Sequence, residues 1–131
     1  MNFRQKISLF LLLYIGVCST ASAQVVEIPN QTLRAAIAQD LGVDFITKDD
    51  LERLQGLTIP DARNLTELTG LEFAKGLTAL RVYNHNVTDL SPIQSLIKLE
   101  ELTMAVGPIS DINPLSNLTN LKKLNLDYNK I

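Results

Sequence analysis

Residues 99–120 read LEELTMAVGPISDINPLSNLTN, and the 22 residues before them read LTALRVYNHNVTDLSPIQSLIK. Laid over one another, the segments keep apolar side chains at positions one, four, six, eleven, seventeen and twenty. These are Leu77, Leu80, Val82, Val87, Ile93 and Leu96 in the first, and Leu99, Leu102, Met104, Ile109, Leu115 and Leu118 in the second. A third copy opens at Leu121, continues through Leu124 and Leu126, and reaches position eleven at Ile131. All sixteen sites are apolar in a chain that is 46% apolar, an outcome of roughly a few in a million by chance. A period of this length belongs to stacked repeats. An earlier, less regular copy runs from Leu54 through Leu57, Ile59, Leu65, Leu68 and Leu71, and takes 23 residues to reach Leu77.

The spacing inside a copy predicts its shape. Positions three to seven alternate, as in Ala79-Leu80-Arg81-Val82-Tyr83, which suits a short strand with its even positions facing inward. Successive strands then pair in parallel. Turns at Asn84–Asn86 or Asp127–Asn129 redirect the chain, and Asp-Leu-Ser-Pro and Asp-Ile-Asn-Pro start a tight return segment with φ pre-set by Pro92 and Pro114. No coil buries its leucines alone; neighbours supply about 1.5 to 3 kcal/mol per fully buried large aliphatic side chain, before entropy. The expected class is α/β: a leucine-rich repeat solenoid, a right-handed horseshoe with its parallel sheet on the concave face and a small α-helical cap in front.

Residues 1–23 have the texture of a secretory signal. Arg4 and Lys6 lead, Ile7 to Val17 is apolar, and Ala21-Ser22-Ala23 offers small residues for cleavage before Gln24. The apolar run is short of the roughly 20 residues that span a bilayer. Cys18, the one cysteine, would leave with that peptide; Val17 is bulky where a lipid-attachment box calls for a small residue. The exported chain would then carry no disulfide. Losing Arg4 and Lys6 leaves ten basic against fourteen acidic residues, a net charge of minus four, with no basic stripe. Nucleic acid and anionic membrane are therefore not the expected partners, and no membrane insertion is expected after cleavage.

Residues 24–53 lack the repeat pattern. Leu33, Ala36, Ile37 and Leu41 recur at helical spacing, Asn30 suits the N-cap and Gly42 the C-terminal end. A second helix is expected from Thr47, where Thr47-Lys48-Asp49-Asp50 has the form of a capping box with Asp in place of Glu, and Leu51 and Leu54 share a side. Such a cap shields the first repeat, since a solenoid's terminal coils present an apolar flank and an open edge. The division expected is therefore signal 1–23, cap 24–53, and repeats 54–76, 77–98, 99–120 and a partial 121–131. As Ile131 falls in mid-repeat, a partial chain of a longer product is expected.

The series Leu99-x-x-Leu102-x-Met104-x-x-Gly107-x-Ile109-x-Asp111-x-x-Pro114-Leu115-x-x-Leu118 resembles the 22-residue repeat of bacterial internalin-type leucine-rich repeat proteins. The front segment, with Ile28-Pro29, Leu33-Arg34-Ala35-Ala36-Ile37, Leu41-Gly42 and Ile46-Thr47-x-x-Asp50-Leu51, is similar to the helical module before such repeats in secreted bacterial proteins, and Leu68-Thr69-Gly70-Leu71-Glu72 is typical of them. The resemblance implies a scaffold whose known members include adhesins and invasion proteins that bind host surface proteins. The family usually places Asn at repeat position nine, where its side chain satisfies turn backbone groups. This chain has His85 and Gly107 there before Asn129, which leads one to expect looser turns.

A concave strand face would present Arg81 and Tyr83, Thr103 and Ala105, Asn125 and Asp127, with Ala79, Glu101 and Lys123 beside them, as the candidate ligand-binding residues. The bland alternative is a solvated sheet face. His85 is the sole histidine and has no second ligand to complete a metal site, so a turn role is expected. Asp89 and Asp111, each three residues before a proline, suit Asx turns better than calcium, which needs six to eight oxygens. Asn-x-Thr triplets at Asn30, Asn64, Asn86 and Asn117 are taken as coincidental in a chain of bacterial look. No catalytic residue, cofactor or metal is expected, as no nucleophile elbow, phosphate loop or metal motif appears. The expected function is an exported, non-enzymatic module, secreted or held at the cell surface or in the periplasm, that binds a protein, with glycan as second candidate. Its rivals are a targeting or spacer module ahead of an effector or catalytic domain, and an envelope component without a specific ligand.

Overall fold

The computed structural model describes residues 23–131; the expected export signal, Ala23 apart, lies outside the described residues. Two helices come first. α1 spans Gln31–Leu41, where Asn30 accepts a hydrogen bond from the Leu33 N–H and Gly42 donates its own N–H to the Ala38 carbonyl. α2 spans Lys48–Arg53 and opens with the expected capping box: Asp50 N–H donates to Thr47 Oγ1, and Thr47 N–H to the Asp50 carboxylate. That carboxylate also pairs with Arg53. Burial pushes the Asp50 carboxyl up, but hydrogen bonds from Thr47 and Arg53 outweigh it and hold the group below the usual carboxylate range. Leu33 and Ile37 of α1 are fully buried, as is Leu51 of α2, so the helical spacing of the apolar residues does mark the inward face. The segment before α1 adds an antiparallel bridge, Val25 to Thr47, that periodicity did not signal.

Four strands follow: β1 (Gly56–Ile59), β2 (Ala79–Tyr83), β3 (Glu101–Ala105) and β4 (Lys123–Asn125). They form one parallel sheet in sequence order. Leu57, Leu80, Leu102 and Leu124 are in register, as are Thr58, Arg81, Thr103 and Asn125. Three short 3-10 segments, at Leu71–Phe73, Ser91–Ile93 and Asn113–Asn117, form the return leg, the last two with Pro92 and Pro114 in their first turn. The predicted Asx turns start them: the Ser91 N–H donates to Asp89 Oδ1 at 2.8 Å and the Asn113 N–H to Asp111 Oδ1 at 2.9 Å.

The core is shared between coils. Leu77, Leu80, Val82, Val87, Ile93, Leu99, Leu102, Met104 and Ile109 have no exposed surface. Position fourteen, which the repeat pattern left out, contributes Leu90, 1% exposed. The third copy departs from expectation. Its Leu124 is 50% exposed and Ile131 64%, against 0% for the equivalent Leu80 and Val87. The cause is geometric: an inward-facing leucine in a solenoid is covered by the coils on its two sides, and β4 is an outer strand of the described sheet.

Gly70 shows why the Thr69-Gly70-Leu71 signature has glycine in the middle. Its φ is 106°, and a Cβ there would lie 2.7 Å from Cγ1 of the buried Ile28. Asn30 ties the same cap to the first coil, donating from its amide to the Asn64 carbonyl at 3.0 Å.

Candidate binding face

The odd positions of the strands make one face. On β2 these are Ala79, Arg81 and Tyr83, on β3 Glu101, Thr103 and Ala105, and on β4 Lys123 and Asn125, with Asp127 just beyond it. The six candidate residues are therefore brought together, in two columns running across the strands. Their accessibility differs. Tyr83, Asn125 and Asp127 are exposed, Arg81 is half-buried, and Thr103 and Ala105 are closed off at 7% and 6% exposed. A small side chain on the central strand of a face flanked by longer neighbours has little surface left to offer.

Arg81 is not a free cation. Its Nε donates to Glu101 Oε1 at 2.8 Å and its Nη2 to Oε2 at 2.7 Å, the two-bond fork that suits guanidinium and carboxylate. The pair raises the Arg81 pKa, and it lowers that of Glu101, with Lys123 adding to the second effect. Charges thus alternate from Arg81 through Glu101 to Lys123. Sequence reading placed all three on this face but missed the pairing. The signal was present: Arg81 is opposite Thr103, and Glu101 sits two residues earlier on the same strand, a diagonal neighbour within reach of long side chains. Asn125 spends its Oδ1 on the Asp127 N–H at 2.9 Å.

The turns beyond the strands are more filled than expected. Asn129 makes all the contacts of the position-nine pattern. Its amide donates to the Met104 carbonyl at 2.7 Å and to that of Leu126 at 2.8 Å, while Oδ1 accepts from the Ile109 N–H at 3.1 Å. Where asparagine is missing, one ring occupies the space. His85 is 3% exposed, its Nδ1 accepts from the Val87 N–H at 3.2 Å, and its Cε1 would lie 2.2 Å from a Cβ at Gly107. Glycine at position 107 is thus the room that His85 needs, and the turn is packed rather than loose. His85 Nε2 has no hydrogen-bond partner among the described residues. Burial holds the His85 pKa below its ordinary value, against an opposing pull from the Met104 and Val87 backbone groups. A buried turn residue it is. Among the described residues no three His, Cys, Asp or Glu side chains gather as metal ligands.

A second concavity lies at the cap end of the sheet, where α1 stands off from β1 and leaves a groove of about 1070 Å³. Sequence reading did not anticipate it. Ala35 and Ala36 of α1, both small, line it together with Asp40 and Thr58. Among the described residues no helix is long and apolar enough to cross a membrane.

The sequence matches no family model, and no curated protein matches it. Solved structures do. The chain is similar to an internalin, InlF, from Listeria monocytogenes, at 30% identity and a TM-score of 0.74, with 78% of this chain and 31% of that chain covered. It is also similar to the structure of the CBM51-2 domain, in complex with GlcNAc, and INT domains of Clostridium perfringens ZmpB, at 34% identity and a TM-score of 0.61, with 67% of this chain and 19% of that one covered. A further structure of the same ZmpB domains gives 34% identity and a TM-score of 0.60 over 67% of this chain. The chain therefore spans 31% and 19% of the lengths of these two proteins. Four parallel strands in an unclosed sheet, with aliphatic positions repeating from coil to coil, are a leucine-rich repeat solenoid.

Proposed function

We propose that this internalin-type leucine-rich repeat chain, with its helical cap in front, is an exported, non-enzymatic recognition module that docks a protein on the odd-position strand face. The observation that carries the reading is the combination of a rigid base and a chemically mixed surface. Leu80, Val82, Leu102 and Met104 anchor the strands from below with no exposed surface. Above them stand the Arg81–Glu101 fork and the Tyr83 ring, held where the sheet puts them. A surface already ordered before binding loses little conformational freedom on association. Tyrosine and arginine are also the residue types that dominate binding energy at protein interfaces. Glycan is the second candidate ligand of the same face.

The test is a paired comparison on the exported gene product. Arg81→Ala combined with Tyr83→Ala is compared with the unsubstituted protein for binding to a partner captured from candidate surfaces. A loss of about tenfold or more, with the far-UV dichroism unchanged, supports the reading. Undiminished binding moves the site off this face.

A second reading has its own support. The clostridial structure carries CBM51-2 and INT domains, and this chain covers 19% of that protein, so similar sequence does occur as one part of a larger, many-part chain. In that reading the repeats are a targeting or spacer module ahead of an effector or catalytic domain. The reading frame after the codon for Ile131 separates the two.

A further inference from the structure

The groove between α1 and β1 has a property that the strand face lacks: unpaired backbone. β1 is an outer strand, bonded to β2 alone. In a parallel ladder, alternate residues of a strand bond to a given neighbour. The Ala79 N–H donates to Gln55 O at one end of this ladder and the Ala62 N–H to Tyr83 O at the other. That phase assigns the N–H and C=O groups of Leu57 and Ile59 to β2 and turns those of Thr58 to the open edge, where the groove lies. Gln31 to Asp40 on the helix and Leu57 to Pro60 on the strand line it, so both elements border it along nearly their whole length, about 13 Å of strand. Small side chains, Ala35 and Ala36, keep the helix side shallow, and Pro60 and Thr58 are exposed on the other.

The chemistry of the walls narrows the occupant. No aromatic ring lines the groove to stack against a sugar, and the one charged residue in it, Asp40, is exposed and takes part in no ion pair among the described residues. We propose that the groove is a second binding site, which takes an extended segment of a partner protein as an added strand on β1, with a lysine or arginine of that segment opposite Asp40. The main-chain groups of Thr58 supply the affinity common to strand addition, and Asp40 supplies the preference for a basic segment. The site is independent of the Arg81 and Tyr83 face and stands or falls separately from it.

The experiment pans a random nonapeptide library displayed on phage against the immobilised chain, then titrates the enriched peptides. Thr58→Pro deletes the edge N–H without touching the bonds to β2, a substitution outer strands tolerate. Ala35→Phe fills the groove from an exposed helix position and serves if the proline variant does not fold. Enrichment of peptides with a central Lys or Arg, weakened about tenfold or more by Thr58→Pro, Ala35→Phe and Asp40→Asn, with slowed exchange of the Thr58 amide, supports the proposal. Arg81→Ala with Tyr83→Ala leaves that binding intact. No enrichment overturns it, as does peptide binding indifferent to Thr58→Pro and Ala35→Phe. Chito-oligosaccharide protecting the Thr58 amide where the peptides do not would assign the groove to glycan and overturn it too. So would self-association that Thr58→Pro abolishes, by assigning the edge to a second copy.

Discussion

Position eight of every full strand-to-turn passage has left-handed backbone geometry, with φ of 56° at Asn84, 63° at Val106 and 59° at Tyr128. Asparagine tolerates this region, but a β-branched side chain crowds its own carbonyl there. Val106 is 44% exposed, so little burial is lost on replacing it. Val106→Asn is expected to stabilise the chain by about 1 kcal/mol, read as a higher urea midpoint at unchanged m. The next residue gives the opposite sign. Gly107→Ala drives a methyl into the His85 ring and is expected to cost about 2 kcal/mol. In a His85→Ala background most of that cost disappears, and the double-mutant cycle measures the coupling. His85 also confers a pH dependence. Its folded pKa lies below its ordinary value of 6.5, so the unfolded chain takes up the proton first. Stability is full above about pH 6.5 and declines as pH falls through the window down to the folded pKa. Denaturation midpoints between pH 8 and 5 check this: the decline is expected to shrink in His85→Asn, and an equal decline in both proteins would contradict it. The turn role of His85 was legible from its repeat slot. Its partnership with Gly107 was not, because it links two coils at slots that sequence reading judges separately.

Caps and turns are the elements where sequence was read furthest, since their chemistry is local. Asn30, the Thr47 to Asp50 box and the two Asx turns each involve residues two or three apart. Asn30→Ala removes both the N-cap of α1 and the bond to Asn64 O, and is expected to cost about 1 to 2 kcal/mol, measured by chemical denaturation. Features made by long-range meeting were harder to see. The Val25 to Thr47 bridge, the buried Leu90 and the groove beside β1 each depend on how far one element stands from another. On the binding face, the columns were legible from alternation alone. The near-closure of Thr103 and Ala105 was not, since neighbours on both sides produce it. The Arg81–Glu101 fork is partly exposed, with side chains 37% and 25% accessible, and such pairs contribute under about 1 kcal/mol. Arg81→Ala is therefore expected to leave the thermal midpoint nearly unmoved, which keeps the binding test on that residue clean.

Across the whole molecule, stability is distributed among contacts between adjacent coils rather than held in any one. Leu80 sits where three strands share the interior, fully buried, with Leu57 and Leu102 as its register partners. Leu80→Ala is expected to destabilise by about 2 to 5 kcal/mol, with loss of cooperativity as the coils on its two sides separate, seen as a broadened unfolding transition. The repeat pattern identified these leucines because period and burial have the same cause; it misjudged Leu124 and Ile131 because a period says nothing about which coil has neighbours. The pairing of the strands carries one more consequence. β1 is joined to β2 with a shift of 23 residues and β2 to β3 with a shift of 22, yet no column of the sheet skips a place. The surplus residue is absorbed on the outer leg, between Pro60 and Thr78. Such a design uncouples the two sides of the ribbon: insertions and deletions can accumulate along its back over generations, while the lattice of side chains on its front keeps its spacing and remains free to change one letter at a time.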